Sequence, residues 1–354
     1  MGAMEIKRGK YTVEIEEPEL YVDNESRQRS GHMSHAMAEF APGCMIDFNS
    51  NCSAVLWDGH FPYGWIEYRI SKDSGKTYSD VYTLPYSVKS FLDGVHMISV
   101  EKAVACEDGT IVAFCLRNDG TARFFCEPWS TPTVVISRDG GMTWTDAVEF
   151  SPYAGRTYDA VCYKDEIYVL HFCNEHFLGE TEDHKYRLYK SVDKGQSFEE
   201  VCVIPFDTRG RGYGSILFDG EGILHAYAYN VNAADKLDHA VSKDLGKTWE
   251  VLEPCYVEKG IRNPQTALID GVYILHGRAA GNKGFVLYTS EDGANWDEGY
   301  FVVKKEKGFA YYSNNLNLRD EKGNFLLIQY SDTYAGKRVN VMHTRLRVKK
   351  EADA

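Results

Sequence analysis

Ser242-Lys243-Asp244-Leu245-Gly246-Lys247-Thr248-Trp249 states a rule that the chain repeats. Ser71-Lys72-Asp73-Ser74-Gly75-Lys76-Thr77-Tyr78 is a second copy, and Ser137-Arg138-Asp139-Gly140-Gly141-Met142-Thr143-Trp144 a third. Ser191-Val192-Asp193-Lys194-Gly195-Gln196-Ser197-Phe198 follows, and Ser290-Glu291-Asp292-Gly293-Ala294-Asn295-Trp296 is a fifth, one residue short. Each residue type has a physical reason to be there. The Asp carboxylate and Ser hydroxyl accept from backbone N–H groups in a tight turn. Gly permits the positive φ that such a turn needs, and the aromatic pins the turn onto an apolar layer.

Five such copies, at intervals of roughly 50 to 65 residues, resemble the Asp-box, or BNR repeat, of the sialidase-like β-propellers. The resemblance implies that each box closes the hairpin between the third and fourth strands of a blade, on the face away from the active site. The five Asp residues are then scaffold, and function has to be sought elsewhere.

At 354 residues the chain is long for one ordinary domain, but its internal repetition makes it a single propeller of six four-stranded antiparallel blades. Its 24 Tyr and 17 Phe suit packed sheets. A net charge of −13 argues against non-specific binding to nucleic acid or anionic membranes, so neither is expected as a partner. Local arginines can still hold an anionic sugar. No stretch reaches the roughly 18 apolar residues of a membrane span, and no secretory signal is visible, so a cytoplasmic location is expected. Met1-Gly2-Ala3 reads as an addition ahead of a natural start at Met4. The nine Cys include no CxxC, and Cys106, Cys115, Cys162 and Cys202 read as small buried hydrophobes. Neither a metal nor any other cofactor is expected.

Asp-Gly between apolar runs is a strong hairpin signal. It occurs at Asp108-Gly109, Asp219-Gly220 and Asp270-Gly271, with Lys164-Asp165 and Lys322-Gly323 in equivalent places. The blades are expected at 33–84, 96–150, 158–206, 213–257, 262–304 and 312–348. Blade one carries a long connection over 49–64, and blade two an insertion over 121–130. Blade six supplies only three strands, so the alternating Tyr11-Thr12-Val13-Glu14-Ile15 is expected to close the ring. The predicted organisation is a lead over 1–10, one propeller over 11–348 and a polar tail over 349–354.

In a propeller the innermost strands line the central channel, and polar residues interrupting them mark the ligand face. Those positions hold His32 and His35, then His96 and Glu101, then Arg156, Tyr158 and Asp159. Arg211 and Tyr213 follow, then Arg262 and Asn263, and finally Tyr312. Second-strand ends add His171 and Arg278. Such a density of charge exceeds what a purely structural channel needs, because burying unpaired charge is costly.

The sialidase resemblance implies an Arg triad for the substrate carboxylate, a Tyr nucleophile activated by a Glu, and an Asp acid/base. Arg262, in Gly260-Ile261-Arg262-Asn263-Pro264, matches one triad member, and Tyr312, in Ala310-Tyr311-Tyr312-Ser313-Asn314, matches the nucleophile. The departures are as informative. Ser30-Gly31-His32-Met33-Ser34-His35-Ala36-Met37 stands where the family has Arg-Ile-Pro. Blade four opens Arg211-Gly212-Tyr213-Gly214-Ser215 without the Glu, and Tyr229-Asn230 replaces a second Arg. The expectation is a carbohydrate-active hydrolase with a remodelled pocket: Tyr312, Glu101, Asp159 and His35 catalytic, with Arg262, Arg211, Arg156, Arg278, His32, His96, Tyr158, Tyr213, His171 and Asn263 binding the sugar. Two alternatives remain open. One is a lyase in which His or Tyr takes the proton α to a uronate carboxylate. The other is a glycan-binding propeller that stacks Trp57, Trp65 or Trp129 on sugar rings.

Overall fold

The turn motif dictates how strands follow one another, and the computed structural model, which describes residues 4–121, 127–176, 184–306 and 310–350, shows the result as a six-bladed propeller. The innermost strands are Met37–Ala41, His96–Ala105, Gly155–Tyr163, Arg211–Phe218, Arg262–Ile269 and Ser313–Asp320. Each packs against the innermost strands of both neighbouring blades, so the ring is closed. Blade six runs outward through Gly323–Ala335 and Arg338–Lys350 to Tyr11–Ile15, the predicted closing strand. Chain ends meet in one sheet.

At Ser242 the turn is built as its residues require. The Asp244 carboxylate accepts from the Thr248 N–H at 2.9 Å and the Thr248 hydroxyl at 2.6 Å, while the Ser242 hydroxyl accepts from the Gly246 N–H at 2.8 Å. The other four copies repeat these bonds with Asp73, Asp139, Asp193 and Asp292. Gly246 has φ +88°, and a Cβ there would lie 2.2 Å from Leu188 of the preceding blade. Positive φ and close approach both demand glycine. Each turn ends a third strand, which runs parallel to the innermost strand of its blade. The five turns therefore lie on the face opposite the beginnings of the innermost strands.

Among the described residues, one apolar cluster fills each of the six seams between blades. Phe48 and Tyr68 of blade one meet Ile98 and Ala113 of blade two, for instance, and Met45 meets Phe325 of blade six. A blade has two apolar faces and no way to bury either alone.

Three details differ from the sequence reading. Met4–Arg8 forms a further strand outside Tyr11–Ile15, and Ile6 is buried against blade five, because an alternating Ile-centred pentapeptide can extend an open edge. The third strand of blade six continues to Lys350. A helix, Pro85–Asp93, joins blades one and two, started by proline in its first turn and stopped by Gly94 at φ +73°. Part of the expected 121–130 insertion lies outside the described residues.

Candidate functional site

Antiparallel register breaks near the start of three innermost strands: between Thr157 and Asp159, between Arg211 and Gly214, and between Arg262 and Gln265. The residues skipped are Tyr158, then Gly212 and Tyr213, then Asn263 and Pro264. Bulges re-aim side chains and tolerate a proline that a regular ladder would reject. Here they turn Tyr158, Tyr213 and Asn263 into the mouth of the channel.

There the Tyr213 and Tyr312 hydroxyls stand 2.6 Å apart, from blades four and six. The Arg156 guanidinium lies 5.2 Å from the Tyr213 ring and 5.6 Å from the Tyr312 ring. Arg262 lies 5.7 Å from Tyr213, and Arg278 5.7 Å from Tyr312. Three cations thus converge on two phenols. Sequence matching credited only Arg262 to a carboxylate clamp; the fold brings Arg156 and Arg278 beside it from other blade positions. Burial and the neighbouring charge of Arg262 push the Arg278 pKa down.

Burial resists ionisation of both phenols, but at Tyr213 the charges of Arg262, Arg156 and Arg278 outweigh it, and its pKa falls below that of an ordinary tyrosine. At Tyr312 burial and Tyr213 itself win, and the pKa rises. The two phenols are thus shifted in opposite directions, and they share one hydrogen bond in which either oxygen can donate. The Asn263 amide is buried with neither its nitrogen nor its oxygen hydrogen-bonded, and it faces the same cavity. A native structure rarely leaves such a group unmet unless something binds there.

Other expected residues are placed differently. Glu101 lies at the cavity but is ion-paired with Arg156, so its carboxylate anchors a cation. Asp159 points down the channel: its carboxylate sits 2.9 Å from the Lys102 ammonium and accepts from the Ser215 hydroxyl at 2.6 Å and the Ile216 N–H at 3.0 Å. It is structural, because buried charge must be paired. His35 meets the Gln329 side-chain oxygen at 3.0 Å, and burial lowers its pKa to about 4. It is a wall, kept neutral. His171 is buried against Phe150 with its ring 3.3 Å from the Tyr153 carbonyl, away from the cavity. Arg211 precedes its bulge and turns to Asp238. His96 lines an outer groove with Tyr86, Lys89 and Arg117. Glu175 is exposed.

His32 meets Tyr312 edge-on at 4.7 Å between centroids, and His60 packs on His32 at 3.8 Å. Sequence reading missed His60; the only signal was its place in the long blade-one connection. Lys102 was missed too, although like Glu101 it interrupts an apolar strand. The cavity beside the phenols, lined by Arg156, Tyr158, Asn263 and the pair itself, measures about 40 Å³. That admits water, at about 10–15 Å³ each, whereas ligand pockets run to about 300–1,000 Å³. Trp129 is buried beside Arg156, so it is not a stacking platform. Trp57 is exposed, on the same connection as His60.

No protein-family model and no curated protein matches the chain. Solved structures do. A protein of unknown function from Dyadobacter fermentans matches with TM-score 0.75 and 15% identity over 95% of this chain and 99% of that one. Trypanosoma rangeli sialidase matches with TM-score 0.63 and 13% identity over 98% of this chain and 59% of that one. Penicillium chrysogenum α-L-arabinanase, complexed with arabinobiose, matches with TM-score 0.58 and 14% identity over 89% of this chain and 96% of that one. The fold is of the sialidase type. No helix among the described residues is long and apolar enough to cross a membrane.

Proposed function

We propose that the chain is a carbohydrate-active enzyme that hydrolyses a small carboxylate-bearing glycoside at the Tyr213–Tyr312 pair, on a scaffold of Asp-box (BNR) repeats. One observation carries this reading: two phenols at 2.6 Å under three guanidiniums. Tyr213 replaces the Glu that the sialidase resemblance implies, and its depressed pKa gives it that Glu's task.

Tyr213, as phenolate, takes the proton of Tyr312. The Tyr312 oxygen attacks the anomeric carbon, the bond to the leaving oxygen breaks, and the leaving group departs with a proton from solvent. Water then attacks the same carbon and gives one proton to solvent; the sugar is released, and the Tyr312 oxygen takes its proton back from Tyr213, which returns to phenolate. A phenol suits the step because an anionic sugar repels a carboxylate nucleophile. Arg262 and Arg278 take the sugar carboxylate, which relieves their mutual repulsion. Asn263 bonds a hydroxyl. A sugar ring needs more than the space present, so the mouth of the channel widens when substrate enters. Glu101 and Asp159 are both committed to cations, so protonation of the leaving group is weak, and aryl glycosides are better substrates than alkyl ones.

That commitment also favours a second reading, β-elimination, in which the Tyr213 phenolate takes the proton α to a uronate carboxylate and an Arg stabilises the enolate. A panel of aryl sialosides, aryl uronides and uronate-capped oligosaccharides decides. Released phenol with a saturated sugar supports hydrolysis; an unsaturated, ultraviolet-absorbing product supports elimination. No turnover of any of them, together with ligand binding unchanged in Tyr312→Phe, would sink both readings.

A further inference from the structure

On the opposite face, two cysteines and a carboxylate from blades two and three come together. Cys106 follows the innermost strand of blade two, where the turn closes with its N–H on the Thr110 carbonyl at 2.9 Å. Cys162 lies near the end of the innermost strand of blade three, and Asp165 in the hairpin turn after it. Their Sγ, Sγ and carboxylate oxygen all lie within 4.8 Å of one another. We propose that Cys106, Cys162 and Asp165 form a site for a thiophilic divalent cation, best matched by Zn²⁺, that staples blade two to blade three.

The chemistry fits residue by residue. Zinc takes thiolate sulfur at about 2.3 Å and carboxylate oxygen at about 2.0–2.2 Å, which sets ligand atoms about 3.5–3.8 Å apart on a tetrahedron. The Asp165 carboxylate is already oriented across the seam, because its other role is to accept from the Glu107 N–H at 2.9 Å. Ligating carboxylates are commonly held by such an outer contact. Two thiolates, one carboxylate and a dication leave one negative charge. The Lys194 ammonium, 3.7 Å from the Asp165 carboxylate and 2.6 Å from that of Asp108, offsets it. Cys162 and Asp165 are half-buried, so water can complete the coordination. Binding releases the two thiol protons to solvent and changes no oxidation state.

The sequence reading of Cys106 and Cys162 as small hydrophobes accounts for their burial, but not for a carboxylate turned toward them. The site shares no residue with the phenol pocket, so its test is independent of the proposed reaction. Purified protein, reduced and stripped with chelator, is titrated anaerobically with Co²⁺. The expected result is one equivalent bound, with a thiolate-to-metal charge-transfer band and intense visible bands of tetrahedral Co²⁺, all displaced by Zn²⁺. Cys162→Ser and Cys106→Ser lose the band. Asp165→Asn, which keeps the positive φ that asparagine tolerates, folds normally and binds at least about tenfold more weakly. Zn²⁺ also slows alkylation of Cys162 in the parent protein. The proposal is overturned by the absence of a one-equivalent band, by a band that survives both serine changes, or by a Cys106–Cys162 disulfide whose reduced form takes up no metal.

Discussion

Asp159 gives the sharpest test of how the channel is built, because sequence reading made it an acid/base and its surroundings make it a strut. Its carboxylate is 1% exposed and faces Lys102 at 2.9 Å, while Lys102 also donates to Asn314 at 2.7 Å. Asp159→Ala leaves a buried ammonium without its counter-charge, which costs about 3–5 kcal/mol. Lys102→Met costs less, because the Ser215 hydroxyl and the Ile216 N–H still solvate the carboxylate. In the double variant both charges are gone. Ser215 keeps Thr266 at 2.8 Å as a partner, while the Ile216 and Ala160 N–H groups lose the carboxylate, at about 1–3 kcal/mol each, a loss that Asp159→Ala alone also carries. The double variant is therefore more stable than Asp159→Ala alone. At about 2.1 cal/mol/K per residue, the 354-residue chain loses about 5 °C in Tm for each 4 kcal/mol. Urea titrations of the four proteins, followed by tryptophan fluorescence, close the cycle. Additive losses, or an Asp159→Ala within about 1 kcal/mol of the parent, would refute the strut.

Tyr213→Phe removes the proton acceptor and is expected to lower kcat by about 10²–10⁴-fold with little change in KM. It also abolishes the rise of kcat with pH, which in the parent protein levels off below the ordinary tyrosine pKa; equal pH profiles would contradict the assignment. Arg278→Met weakens binding of a carboxylate inhibitor and flattens its salt dependence, measured by calorimetry at two ionic strengths. Asp244 is held at about 2 by the Thr248 hydroxyl and N–H and by Ser242. Its folded pKa lies below its unfolded value, so its contribution is complete above about pH 4 and lost as the pH falls through about 2. Asp244→Asn should lower the urea midpoint at pH 6 and lower it much less at pH 2.

What the sequence shows of this molecule follows from what repetition exposes. Five copies of one turn fix strand order, blade count and the face that carries the turns, because each copy needs the same donors, acceptors and glycine. The closing strand Tyr11–Ile15 was legible from its alternation and from the strand that blade six lacked. The pocket was legible only in part. Tyr312, Arg262, Tyr158 and Asn263 sit where position along an innermost strand places them. Arg211 and Tyr213 are two residues apart, yet a bulge sends one out to Asp238 and the other in to Tyr312. Period-two reasoning assigns both to one face and cannot see that. His171 and His96 were misassigned for a related cause: a polar residue on a strand can face a seam or a groove as readily as the axis.

The tyrosine at the start of blade four explains the rest of the pocket. A Glu beside Tyr312 would be a fixed anion and would neutralise one arginine outright. A phenol in its place carries charge only to the extent that cations draw it out. Arg156, Arg262 and Arg278 do so together, and Glu101 balances Arg156 from below. Exchanging Tyr213 for Glu therefore does more than supply a base: it consumes positive charge that Arg262 and Arg278 would otherwise offer to substrate. If the three guanidiniums serve a substrate carboxylate, Tyr213→Glu binds a carboxylate sugar more weakly than Tyr213→Phe does. If they serve only to hold the phenols, the two variants bind it alike.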